Sequence, residues 1–247
     1  MKRLRNAAFV LTLTFVFAAS LVSAALAGDA VTVAAGAGYK KLVTEQAKAF
    51  TGATGVEVRQ IFGNMGQVTA QAEQSGAVDL VIGDKRFLDA TTLPFDQEYL
   101  IGKGKLVAAV PKGSAITSLS AILDPSVKRV AMPDPKKAIY GRAASEYLES
   151  AKMAGKVGDK LLVVGTVPQV SAYVVSGEVD LGFINMTDAL GIKDKVERIL
   201  DVDESMYKPI RIVAKSLKDA PDADAAKKFG EFLQSEEARK IAAKHGL

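Results

Sequence analysis

No cysteine occurs among the 247 residues. Disulfides, thiolate metal sites, a cysteine nucleophile and a lipidated cysteine anchor are therefore all excluded. A chain of this length buries enough surface to fold without cross-links. Tryptophan is also absent, and histidine occurs once, as His245 near the carboxyl end, where a solvated residue is expected. A His/Cys zinc site has no second ligand, and a Ser-His-Asp triad would rest on that one terminal residue. Basic residues are scattered, with no aromatic-basic stripe, so nucleic acid is not an expected partner. The glycines at Gly36 and Gly38 lack the third glycine of a dinucleotide loop and the Gly-Lys-Ser/Thr of a P-loop. They suit a tight turn or a close backbone approach to a ligand.

What is present begins with an export pattern. Lys2, Arg3 and Arg5 form a basic head, residues 7–19 are apolar and uncharged, and Ala25-Leu26-Ala27 precedes Gly28. This is the three-part form of a secretory signal over residues 1–27, with cleavage expected after Ala27. The apolar run is shorter than the ~20 residues a spanning helix needs, and no later segment is long and apolar enough to replace it. The mature chain is expected in the periplasm, without membrane insertion after cleavage. Charge follows the cut. The whole chain has 32 Lys+Arg against 28 Asp+Glu; without the three basic residues of the signal, 29 stand against 28. The basic balance thus belongs largely to the segment that is removed.

The rest alternates short β-branched runs with helical spacing. Strands are expected at 31–33, 56–58, 80–82, 107–110, 161–164, 181–184 and 210–213, and helices at 39–52, 66–75, 141–154, 169–176, 222–233 and 235–244. Such alternation implies an α/β fold with mostly parallel sheet. Within it lies an echo: QVTAQAEQSGAVDLVIG at 67–83 and QVSAYVVSGEVDLGFI at 169–184. Each reads as a helix closed by a left-handed glycine and followed by a buried strand. Two similar lobes are the natural reading.

Helix starts fall after strand ends at Gly38-Tyr39, Met65-Gly66, Tyr140-Gly141 and Val167-Pro168. First-turn N–H groups have no carbonyl partner, and the dipole is positive there, so such starts suit an anion. In open α/β sheets, ligands lie outside the carboxyl ends of strands. Asp84, Asp134 and Asp188 also follow strands; a carboxylate pair is conceivable, with turn capping the commoner role. Met65, Met132 and Met186 lie near strand ends, where thioethers either fill gaps or meet a soft cation.

With these features in place, the chain resembles the periplasmic molybdate-binding family of ABC importer receptors. The likeness is carried by Val31-Thr32-Val33-Ala34-Ala35, Gly55-Val56-Glu57-Val58 leading to Phe62-Gly63, and Asp79-Leu80. Further carriers are Asp134-Pro135, Gly141-Arg142-Ala143-Ala144, Leu181-Gly182 and the closing Lys244-His245-Gly246-Leu247. The resemblance implies a two-lobed periplasmic binding protein of type II, each lobe a mostly parallel sheet flanked by helices, joined by two crossover strands near 105–112 and 208–215. Lobe one would span 29–109 plus 212–247, and lobe two 110–211. It further implies a monomeric receptor, not an enzyme, that delivers a small oxyanion, molybdate or tungstate, to an ABC permease without metal or cofactor. The implied binding residues are Gly38, Tyr39, Asn64, Met65, Gly66, Tyr140, Gly141, Val167 and Asn185. Several depart from the family: Gly38 and Asn64-Met65-Gly66 stand where hydroxyl donors are usual, Ile139-Tyr140-Gly141 replaces Pro-Ala-Gly, and Asn185 replaces a tyrosine. These exchanges leave open the same scaffold retuned to an organic anion or soft metal ion. A hydrolase or isomerase using Asp84 or Asp134 is a third reading.

Overall fold

The computed structural model describes residues 30–247, so the export pattern and its cut lie outside the described residues. Two five-stranded sheets organise the chain. The first is built from β1 (Ala30–Gly36), β2 (Glu57–Gly63), β3 (Leu80–Asp84) and β4 (Phe95–Gly104), with β5 (Leu106–Pro111) passing to the second. The second continues through β6 (Val130–Pro133), β7 (Leu161–Val164), β8 (Leu181–Asn185) and β9 (Val196–Asp201), and β10 (Ile210–Leu217) returns to the first. The orders are β2-β1-β3-β10-β4 and β7-β6-β8-β5-β9. Each sheet thus has three neighbouring parallel strands, then an antiparallel one (β10 in the first, β5 in the second), then an edge strand antiparallel to that (β4 or β9); β10 alone returns from beyond the other lobe. The change of sheet falls between Gly104 and Leu106 and again between Asp201 and Ile210, a few residues before the lobe boundaries expected from the sequence.

The helices cover both sheets. In the first half they are α1 (Lys40–Thr54), α2 (Met65–Ser75) and α3 (Lys85–Leu88); in the second, α4 (Ile139–Ser150), α5 (Ala154–Val157), α6 (Val167–Ser176) and α7 (Met186–Ile192). The amphipathic pair α8 (Ala223–Phe232) and α9 (Glu236–Lys244) closes the first lobe, with Ser235 capping α9 through the Ala238 N–H at 3.2 Å. Strand residues Val31, Val33, Leu80, Ile82, Val107 and Ala108 are fully buried, as near-continuous apolar runs covered on both faces should be.

The echo has a structural basis. α2–β3 and α6–β8 occupy corresponding places in the two sheets. Gln67 Oε1 accepts from the Asn64 N–H and Gln169 Oε1 from the Thr166 N–H, both at 3.0 Å, so each glutamine secures its helix start. Gly76 and Gly177 close the two helices at φ 57° and 75°. The aspartate of each Val-Asp-Leu then ties its strand to the neighbour. Asp79 accepts from the Thr32 N–H at 2.7 Å, and Asp180 from Lys128 and Arg129 at 2.7 and 2.8 Å. Burial raises the Asp79 carboxyl above its ordinary range, against the pull of its N–H donors.

Three strands escaped the sequence reading. β4 and β9 are edge strands carrying charged residues, which hides their alternation. β6 is four residues ending in Met132-Pro133. The helix expected over 141–154 is two, because α4 ends before Lys152, which takes a left-handed φ of 56°. His245 is not solvated: its side chain is 13% exposed and meets the Glu45 carboxylate at 2.8 Å. Terminal position misled there, since α9 packs on α1.

Gly141 shows how closely α4 is set on its sheet. A Cβ there would lie 2.6 Å from the Asp134 carbonyl carbon and would also overlap the Pro133 oxygen, both backbone. Gly141→Ala is expected to lower stability by about 1–3 kcal/mol. Urea unfolding beside Gly155→Ala, where nothing lies within 4 Å, checks this. Equal midpoints would show that the turn before α4 yields.

Candidate functional site

A small cavity lies where four helix starts converge between the lobes. It is lined by Gly36, Ala37, Gly38 and Tyr39 before α1, Gly63, Asn64 and Met65 at α2, Ala138, Ile139 and Tyr140 at α4, and Thr166 and Val167 at α6. Its volume is about 20 Å³, which is roughly the room one water requires. No charged side chain is among the lining residues.

The local sequence explains why the lining offers backbone more than side chains. Asn64 spends its Oδ1 on the Gln67 N–H at 2.9 Å. Met65 is 1% exposed, and its sulfur would lie 3.5 Å from a Cβ at Gly36 and 2.8 Å from one at Gly83. Those two glycines leave the room its thioether fills. Tyr39 and Tyr140 turn their hydroxyls toward one another in a short hydrogen bond between the lobes. Burial raises the pKa of both phenols, and the neighbouring Tyr140 hydroxyl raises Tyr39 further, so both stay neutral at ordinary pH. What remains for a ligand is the smaller set of first-turn N–H groups not already spent: Met65 at α2, where Gly66 and Gln67 donate elsewhere, Val167 at α6, where Pro168 has no N–H, the start of α4, and the turn leading into α1.

Of the residues singled out in the sequence, Gly38, Tyr39, Asn64, Met65, Tyr140 and Val167 line this cavity. Three do not. The Gly66 N–H donates to the Lys137 carbonyl at 3.2 Å, across the lobes. Gly141 packs against the turn at Pro133 and Asp134. Asn185 is fully buried at the end of β8: its Nδ2 donates to the Gly38 carbonyl at 3.0 Å and its Oδ1 accepts from the Asp188 N–H at 3.2 Å. Both ends of that amide serve the chain itself. Ala37, Ala138, Ile139 and Thr166 are further lining residues. They adjoin chosen residues, and their apolar or capping character gave no separate signal.

The alternative chemistries find little support. Asp84 is an ion pair with Arg142 and also accepts from the Phe87 and Arg211 N–H groups at 3.2 Å each. Asp134 accepts from the Lys136 and Lys137 N–H groups at 2.7 and 3.2 Å, holding the turn before α4. Asp188 bonds the Ser171 hydroxyl, and burial raises its carboxyl pKa. Of Met65, Met132 and Met186, Met65 alone lines the cavity. No group of three His, Cys, Asp or Glu suited to a metal occurs among the described residues.

Comparison with known proteins points the same way. The family model for bacterial extracellular solute-binding proteins matches residues 31–247. Molybdate-binding protein ModA of Rhodobacter capsulatus is 28% identical over 229 residues, covering 90% of this chain and 89% of its own. YvgL of Bacillus subtilis, described as a candidate ABC transporter substrate-binding lipoprotein, is 30% identical over 200 residues, or 78% of this chain and 75% of its own. Among solved structures, the periplasmic molybdate-binding protein of Azotobacter vinelandii superposes with a TM-score of 0.80 at 20% identity, covering 87% of this chain and 97% of that one.

Proposed function

Since this chain belongs to the bacterial extracellular solute-binding protein family, we propose that it is the periplasmic receptor of an ABC importer for a small, fully ionised oxyanion, molybdate or tungstate. Export with removal of residues 1–27 is part of that reading. The observation that carries it is the convergence of four helix starts on one cavity with no charged side chain in its lining. Helix N-termini offer donors and a positive potential without a counter-cation. An oxyanion without protons brings only acceptors, and such a lining meets them. A protonated anion such as hydrogen phosphate brings an O–H that needs an acceptor, and no carboxylate lines the cavity.

A thermal-shift series tests this. At about a hundredfold over the dissociation constant, a ligand held only by the native state adds about 2.7 kcal/mol. For a chain of this size that raises Tm by roughly 5–10 °C. Molybdate or tungstate is expected to give such a rise, and phosphate at equal concentration none. A rise with phosphate, or with small carboxylates alone, would remove the assignment.

A further inference from the structure

The cleft is crossed by bonds that need only the chain's own groups. Asn185 of the second lobe reaches the Gly38 carbonyl of the first at 3.0 Å, with Asp188 holding the other end of the amide. Gly38 has no side chain in the way: a Cβ there would lie 3.1 Å from both amide atoms of Asn185. Tyr39 and Tyr140 join the lobes hydroxyl to hydroxyl. That contact lies beside the crossover, since a Cβ at Gly104 would lie 3.1 Å from the Tyr39 hydroxyl and 2.8 Å from Ile210. The Gly66 N–H adds a third bond, to the Lys137 carbonyl at 3.2 Å. All three lie around the cavity, and the aromatic and amide side chains involved are almost wholly buried.

We infer that Asn185 and Tyr140 are positioning residues that latch the two lobes closed whether or not solute is bound. Asn185 does not line the cavity, and Tyr140, which does, acts here through the bond of its hydroxyl to Tyr39. Each bond is worth about two- to tenfold in an equilibrium, and three broken together about a hundredfold. Closure is then the resting condition, and solute enters during rare openings rather than driving closure itself. Entry of solute is slowed because the latch must first part. That consequence rests on the receptor reading; the latch itself is measured in stripped protein.

The absence of cysteine gives the measurement directly. Lys48→Cys in α1 and Lys156→Cys in α5 place one exposed spin label on each lobe. Distances are taken on protein unfolded, dialysed and refolded to remove solute. The stripped parent is expected to show one narrow distribution. Asn185→Asp keeps an oxygen for the Asp188 N–H and loses the donor to Gly38. Tyr140→Phe loses a hydroxyl alone. Each is expected to raise the open-to-closed ratio about two- to tenfold, and the double variant by about the product of the two. A stripped parent as broadly distributed as the double variant, or variants identical to the parent, would overturn the latch. Stopped-flow mixing with molybdate adds a rate that levels off in the parent and rises in both variants. Should molybdate give no binding signal, the oxyanion reading fails, and the distances on stripped protein still decide the latch.

Discussion

Replacing Met65 by glutamate is expected to cut molybdate affinity about a thousandfold, while replacing it by glutamine leaves affinity within about tenfold of the parent. Met65 lines the cavity and is 1% exposed, so a carboxylate there has little water to screen it. One pair of like unit charges about 4 Å apart costs about 4 kcal/mol at the effective dielectric near such sites, which is about three decades of affinity. Glutamine has nearly the shape of methionine and of glutamate but no charge. The comparison therefore isolates the sign of the ligand. If the solute were a soft cation, the order would invert: glutamate would retain it and glutamine would lose the thioether that held it. Calorimetry with molybdate and with Cu(I) on both variants checks the outcome, and equal molybdate affinity for the two would end the anion reading.

The second large effect concerns stability. Asp84 ends β3 in the first lobe with its side chain 2% exposed, and Arg142 meets it from α4 of the second. A neighbouring pair, Arg86 with Glu146 at 2.8 Å, also spans the lobes, and Glu146 accepts from the Lys208 N–H at 2.9 Å. Removing one member of a buried pair strands the other, at a cost of about 3–5 kcal/mol. Arg142→Met is expected to approach the lower end, about 3 kcal/mol, because two backbone N–H groups still serve Asp84. Asp84→Asn combined with Arg142→Met removes the stranded charge and is expected to recover most of the loss. Denaturant unfolding of the two singles and the double gives the cycle. Additive losses would mean that the pair contributes nothing beyond its separate parts.

Much of this architecture could be read before any coordinate. The paired Gln-Val-(Thr/Ser)-Ala and Val-Asp-Leu segments carried it because each residue type has one dominant local role, with glutamine at a helix start, glycine at its end and aspartate on the next strand's amides. Those roles depend on near neighbours, and near neighbours are what a sequence displays. The cavity was legible for the same reason, since helix starts are local signals. Asn185 was not. Its partner Gly38 stands 147 positions away, and an asparagine at a strand end reads equally as ligand donor, helix cap or interlobe bond. The pairing of Asp84 with Arg142 was hidden likewise, and β4 was masked by the charges its edge position permits.

The late return of β10 to the first sheet also bears on how the chain is made. The second sheet draws all its strands from one continuous stretch, β5 to β9. The first lacks the strand between β3 and β4 until β10 arrives, and Asp84 waits for the Arg211 amide 127 positions later. A chain emerging amino end first can therefore complete its second half before its first. Until residues 210–217 appear, β3 and β4 present open edges, and long-range pairing of this kind is slow to form. Such a chain stays threadable until β10 is made, and that strand is the one that turns the first lobe from a nascent polypeptide into a folded unit.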